Sequence, residues 1–279
     1  VALALGAVYL IWGSTYLAMR VAVSGLPPFL MASGRFLVSG VVLFTVLRVR
    51  GVPWPTRREW LMALPVGFLM LVLGNGLVAT SEQHLGSGLA AVVTGTMPLW
   101  AAGMALFFGE HVSRREWVAL VLGFLGVGVL ATGGELRAEP RSAALLLLAP
   151  IGWALGSHLA RRLPMARGLM AAATQMLLGG ALMAVISVAL GERVVTPVPV
   201  RALAATAYLA VAGSLVAFTA YTWLLGHTRP AVATSYAYVN PVVAVALGAA
   251  LGGERVGLEV LAAVVLIAGA TGLVMLRRR

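Results

Sequence analysis

The chain contains no cysteine, no aspartate and no lysine. Without cysteine it can form neither a disulfide nor a thiolate metal site. Without lysine it cannot build a nucleotide-binding loop of the Gly-x4-Gly-Lys type, so the usual ATP motor is absent. No His-Glu-x-x-His run, thiol nucleophile or aspartate pair is present to serve an intramembrane enzyme acting on lipid. No cofactor or metal is expected, and the chain does not read as an enzyme. Charge of any kind is scarce, with nine glutamates and twenty arginines making 10% of 279 residues, against 61% hydrophobic. A soluble domain carries about 45–50% apolar and about 25% charged residues, so this balance places the chain in the membrane class.

The net charge of +11 invites a nucleic-acid reading. The arginines cluster at the ends of apolar runs, which is the pattern of topology signals and not of a phosphate-binding surface. Crossing the hydrocarbon core takes about 20 apolar residues. Runs of that kind fall near 2–23, 28–47, 60–80, 86–108, 115–132, 142–162, 168–190, 201–225, 231–251 and 257–276. Period-2 alternation is absent, so a β-barrel fits poorly, and an all-α, ten-span polytopic protein is expected. The chain starts at Val1, and its first run reads as a span of the fold, not a cleavable signal peptide. Thirteen arginines, among them Arg48, Arg57, Arg114, Arg161 and Arg277, fall on one side, against Arg137, Arg141, Arg193, Arg201 and Arg255 on the other. That asymmetry predicts both termini in the cytoplasm.

The two halves echo each other. Trp12, Tyr16 and Arg20 on span one recur as Trp153, Ser157 and Arg161 on span six. Pro98 recurs as Pro241 and Glu110 as Glu254. Five spans are an odd number, so two such halves must be inverted relative to each other, the build of a carrier with its site at the seam. The expected units are residues 1–134 and 142–279, joined by the polar stretch Gly133–Arg141.

With these motifs in view the chain resembles the EamA-type drug/metabolite transporters. The resemblance rests on Trp12-Gly13-Ser14-Thr15, Arg35-Phe36, Pro98-Leu99-Trp100 running to Phe108-Gly109-Glu110, and Asn240-Pro241-Val242 running to Gly252-Gly253-Glu254. It covers essentially the whole chain, and it departs where Ala154-Leu155 replaces Gly13-Ser14. It implies an inner-membrane carrier for small solutes, with bacterial exporters of neutral or aromatic amino acids the nearest in character. The partners it implies are the solute and the bilayer, with a monomer expected and a dimer open.

Several residues stand as candidates for the solute site. Trp12, Tyr16 and Arg20 share one helix face by i, i+4, i+8 spacing, as do Trp153, Ser157 and Arg161. Both tryptophans fall near mid-depth, either as cavity walls or as packing between helices. Arg20 and Arg161 read as snorkelling to an interface. Met97, Trp100, His158, Tyr221, Tyr236, Asn240 and Asn75 complete the candidate contacts. Pro98 and Pro241 are either gating hinges or static kinks. Arg35, Glu82 and His84 are candidates for coupling or for holding a carboxylate: Arg35 either faces inward, where it can meet Glu82, or snorkels outward, while Glu82 is either functional or a solvated loop acid. An apolar pocket with a few polar groups suits a zwitterion with a hydrophobic side chain, whereas aromatic faces alone also suit a cationic drug moved by proton exchange. The motifs Gly152-x-x-x-Gly156 and Gly248-x-x-x-Gly252, with Gly123, Gly126 and Gly128, read as close-packing positions.

Overall fold

The computed structural model describes residues 1–107, 114–130, 139–228 and 236–275; their regular structure is all helical, with no strand among them. Helix α1 is Ala2–Val23, α2 Pro28–Val49 and α3 Arg57–Ser81. Helix α4 is Ser87–Thr94, α5 Met97–Phe107 and α6 Arg114–Leu130. Helices α7, Pro140–Arg162, and α8, Leu169–Ala189, follow. Helix α9 runs through Val200–Tyr208, Leu209–Ala217 and Phe218–His227, and α10, Tyr236–Leu251, and α11, Leu258–Met275, close the order. Six of these, α1, α2, α3, α7, α8 and α9, are long and apolar enough to cross a membrane. With so many apolar helices and outward faces such as Val38, Val41, Val42 and Val46 on α2 left exposed, the molecule is a polytopic membrane protein.

Three departures from the sequence reading matter. The expected fourth span is two helices, α4 and α5, separated at Gly95 and Thr96. The break therefore precedes Pro98, which sits in the first turn of α5, where its missing N–H costs nothing. Pro241 lies inside the continuous helix α10, and it packs so closely on α4 that a methyl on Gly95 would lie 2.9 Å from its ring. Finally, α1, α3 and α9 each contain a π-helical stretch, at Val8–Trp12, Phe68–Gly76 and Leu209–Ala217. Such widened turns leave carbonyls free and recur at functional sites. Residues 133–138 of the expected linker, and Glu110, lie outside the described residues.

Distant acids fix two helix starts. Glu192 accepts from the backbone N–H groups of Phe29 (3.2 Å) and Leu30 (2.8 Å) at the start of α2. Glu254 accepts from the N–H of Ser87 (2.7 Å) and Gly88 (3.0 Å) at the start of α4 and from the Ser87 hydroxyl (2.6 Å). Carboxylates there meet both the unpaired N–H groups and the positive end of the helix dipole. Gly152 and Gly156 bring α7 onto the π stretch of α3, as their spacing predicts. Gly128 differs: it is exposed, with no heavy atom of a neighbour within 4 Å of where a side chain would begin.

Candidate functional site

A cavity of about 110 Å³ lies between α1, α2, α3, α4, the start of α5, α7, α9 and α10. Its wall contains eight of the sequence candidates, Trp12, Tyr16, Arg35, Asn75, Met97, Trp153, Tyr236 and Asn240, together with Pro241. Trp12 is its centre. Its ring lies edge-on to Trp153 at 6.4 Å and to Tyr236 at 4.9 Å, and Phe218 (6.2 Å) and Tyr221 (5.1 Å) back it. Edge-to-face rings at these separations hold one another at fixed angles. The indole N–H of Trp12 donates to the carbonyl of Gly213 at 3.1 Å, a group in the π stretch of α9. The Trp153 indole nitrogen is buried without a partner at hydrogen-bonding geometry.

Polar groups enter this aromatic cage from three sides. The Tyr16 hydroxyl meets Thr94 at 2.6 Å. The Asn240 amide, oriented so that its nitrogen donates, reaches the carbonyls of Tyr9 (3.2 Å) and Tyr236 (3.3 Å). Arg35 is 5% exposed and points inward, so it does not snorkel. Its Nε donates to the Ser214 hydroxyl at 2.8 Å, and its guanidinium carbon lies 4.7 Å from the centre of the Phe36 ring. A methyl on Gly213 would lie 3.1 Å from Arg35 Nη2 and 2.9 Å from Thr15 Cγ2, so glycine there gives the guanidinium its room. No carboxylate of the described residues lies within ion-pair distance of Arg35.

The remaining candidates fall elsewhere. Trp100 does not close the cavity: its ring packs edge-on against Phe124 at 5.3 Å, and its N–H donates to Thr96. The helix break at Gly95–Thr96 turns it toward α6. Ser157 and buried His158 lie one turn beyond Trp153, off the wall, and Pro98 is also off it. Tyr221 supports the cage from behind. Arg20, whose side chain is 37% exposed, pairs with Glu254 at 3.2 Å and donates to the Leu85 carbonyl at 2.9 Å. His84 is exposed, with its Nδ1 3.3 Å from the Ser142 hydroxyl. Thr15, Met19, Thr94, Gly213, Ser214 and Phe218 line the cavity unforeseen, because a lone hydroxyl or glycine in an apolar run carries no signal of which way it faces.

Glu82 departs furthest from a solvated loop acid. It follows Ser81 at the end of α3, is 2% exposed, and neither carboxyl oxygen has a hydrogen-bond partner. Its i−4 neighbour Val78 lines the cavity. Burial above all, and then the negative charge of Glu254, push its carboxyl well above the ordinary 4.5, while Arg20 and Arg35 oppose the rise. The sign for stability follows. Between 4.5 and its raised value the folded chain holds a proton that the unfolded chain has lost, so stability falls as pH rises through that window. The expected slope is that of one proton, a tenfold loss in the folding constant per pH unit. Melting curves of the purified protein from pH 5 to 9 should show this slope, and Glu82→Gln should flatten it. Equal slopes in both proteins would assign the effect to another group.

The EamA-like transporter family model matches residues 1–132 and again 141–276. The inner membrane transporter YedA of Escherichia coli K12 is 43% identical over 252 residues, 90% of this chain and 82% of that protein. A protein of Streptantibioticus cattleyicolor named "Probable terminal-alkyne amino-acid exporter" is 26% identical over 84% of this chain and 79% of its own length. PecM of Dickeya dadantii is 26% identical over 85% and 80%. A crystal structure at 20% identity superimposes with a TM-score of 0.70 over 97% of this chain and 94% of its own, a likeness of fold. The chain belongs to the EamA-like transporter family and is a membrane transporter.

Proposed function

We propose that the chain exports neutral or aromatic amino acids and related carboxylates across the inner membrane by alternating access. One observation carries the substrate class: a buried guanidinium without a carboxylate partner opens on the same cavity as a cage of Trp12, Trp153 and Tyr236. The guanidinium offers a planar fork to a carboxylate, and the rings offer apolar faces to the side chain. The name of the Streptantibioticus relative agrees with amino-acid export, and the name of the Escherichia coli relative with the inner membrane. Arg35 disfavours the alternative of a purely cationic drug, which it would repel.

The architecture we infer is ten spans in two inverted halves, residues 1–134 and 142–279, with α4 and α5 together making the fourth span and both termini cytoplasmic. The family match to each half supports it. Some of the helix contacts agree with it, for α2 packs on α8, α4 on α10 and α6 on α11, and Trp12 meets Trp153, each pairing a span with its counterpart five later. The two nine-residue π stretches fall on spans three and eight, also counterparts.

The test is radiolabelled transport in proteoliposomes with phenylalanine, tryptophan, methionine and threonine beside a cationic dye. Saturable amino-acid transport is expected, and Trp153→Ala should reduce it by roughly tenfold or more, the loss of one aromatic pair and its buried area. Wild-type rates in Trp153→Ala, or movement of the dye alone, would sink this reading.

A further inference from the structure

The wall of the cavity carries charge of one sign. Arg35 stands on it, and none of the described residues that line it is acidic. Aspartate is missing from the whole chain, so any counter-charge would have to be one of the nine glutamates. The structure places several of these elsewhere. Glu192 holds the start of α2, Glu59 the start of α3 through Thr56, and Glu254 the start of α4 together with Arg20. Glu82 follows Val78 by one turn but is not on the wall. Its carboxyl oxygens are buried without a hydrogen-bond partner, the setting of an uncharged acid. The polar neutral groups do not change the balance. Thr15 donates to the Trp12 carbonyl at 2.6 Å and Thr94 to the Ala90 carbonyl at 2.8 Å. The Trp12 N–H and the Asn240 amide nitrogen are likewise committed to backbone carbonyls. The guanidinium is thus the one formal charge that the described wall presents to a solute.

We propose that the cavity selects monoanionic carboxylates with an apolar or aromatic tail and no amino group, in preference to the corresponding amino acids. This inference rests on the carboxylate reading of Arg35 above and narrows it. A monoanion brings the buried charge of the site to zero. A zwitterion adds no net charge, leaves the site at plus one, and sets its ammonium group a few ångströms from the guanidinium. Buried like charges at that range are costly, and an ammonium without an anionic partner also loses its hydration. Neutral oxygens on the wall, that of Asn75 among them, offset only part of this. The charge of the cargo also sets the driving force. In alternating access around a fixed site, the charge moved per cycle is that of the cargo. A cell interior at negative potential expels an anion, with a tenfold ratio at equilibrium for about each 59 mV. Export of a monoanion then needs no second ion, whereas a zwitterion gains nothing from the potential.

Two measurements on the full chain near neutral pH test this. Isothermal titration compares 3-phenylpropionate, phenylalanine and phenethylamine, which share one phenyl-ended skeleton and carry the carboxylate alone, both groups and the amine alone. Wild type is expected to bind 3-phenylpropionate roughly tenfold or more tighter than phenylalanine, and phenethylamine least. In Arg35→Gln the advantage of 3-phenylpropionate should vanish, because an uncharged wall no longer favours an anion. In proteoliposomes, with protein-free liposomes subtracted, an interior-positive potassium diffusion potential should accumulate 3-phenylpropionate about tenfold per 59 mV and leave phenylalanine uptake unchanged. Phenylalanine bound as tightly as 3-phenylpropionate would mean that the cage holds the ammonium group, and it overturns the inference while the amino-acid reading stands. A preference that survives Arg35→Gln comes from the tail and not from charge, and it overturns the inference too, as does 3-phenylpropionate uptake indifferent to the potential. Failure of both carboxylates to bind, or a preference for phenethylamine, defeats the carboxylate reading itself.

Discussion

Arg35→Met is expected to weaken carboxylate binding by roughly 30- to 5,000-fold, the 2–5 kcal/mol lost when one partner of a buried charge pair is removed. The same variant should melt at the wild-type temperature or above. These two expectations together separate a binding role from a structural one. In the substrate-free protein Arg35 is buried with a hydroxyl, Ser214, as its hydrogen-bonded side-chain partner. A buried cation without a counter-ion is a cost to the fold, and an apolar side chain of similar bulk removes that cost. A residue kept for packing would show the reverse pattern, with lower melting temperature and intact binding. Arg35→Lys keeps the charge but not the planar fork, and an intermediate loss is expected. Isothermal titration with phenylalanine, beside melting curves of the same preparations, decides the matter. Arg35→Met binding phenylalanine as wild type does would remove Arg35 from the site.

The second large effect is on folding. Gly152→Val should leave little folded protein. A methyl at 152 would lie 2.7 Å from Leu73 Cβ and 2.8 Å from the Leu69 carbonyl oxygen. Neither is the free end of a side chain that can swing away, so α7 and α3 must part. One turn on, a methyl at Gly156 would lie 3.1 Å from the Leu69 Cβ and 3.3 Å from the Met70 backbone nitrogen, so the seam cannot relax by pivoting about that point. Overpacking of this kind costs about 1–3 kcal/mol or more, a large share of a marginal stability. It would also loosen Pro150 and Trp153, which flank Gly152 on the cavity wall. Gly128→Ala is the matched control, since that position faces open space, and it should change the melting temperature little. Monodisperse yield in size-exclusion chromatography distinguishes the two. A well-folded Gly152→Val protein would mean that the seam is looser than its distances indicate.

How far the sequence reaches depends on the kind of signal each residue carries. Trp12 and Trp153 were legible because a large aromatic at mid-span, repeated at equivalent positions, has few places to go, and the fold brings the two rings together. The glycine pair at 152 and 156 was legible because close packing of helices needs small residues at that spacing. Glu82 was not. It sits in Thr80-Ser81-Glu82-Gln83-His84, which reads as a solvated turn, and only the packing of α1, α2 and α7 around the end of α3 buries it. The Arg20–Glu254 pair escaped for a similar reason, because it joins residues from opposite ends of the chain whose meeting depends on the whole bundle. Trp100 was expected at the cavity from its place beside Pro98, but the helix stops at Gly95 and Thr96 and the ring packs on Phe124 instead. The π stretches have no composition of their own, so nothing in the residue order of α3 or α9 announced them.

Those stretches have a mechanical consequence. In a crystal, a dislocation lets one row slip past another by breaking bonds singly and not all at once. A π stretch is the same defect in one dimension, a surplus residue held in a periodic ladder. As it glides along its helix only a bond or two is open at any moment. The segment it has passed is left rotated by about 100° and displaced by about 1.5 Å, the angle and rise of one residue. Gliding of the defects in α3 and α9 would swing Asn75 and Ser214 relative to Arg35 while both ends of each helix stay anchored in the membrane.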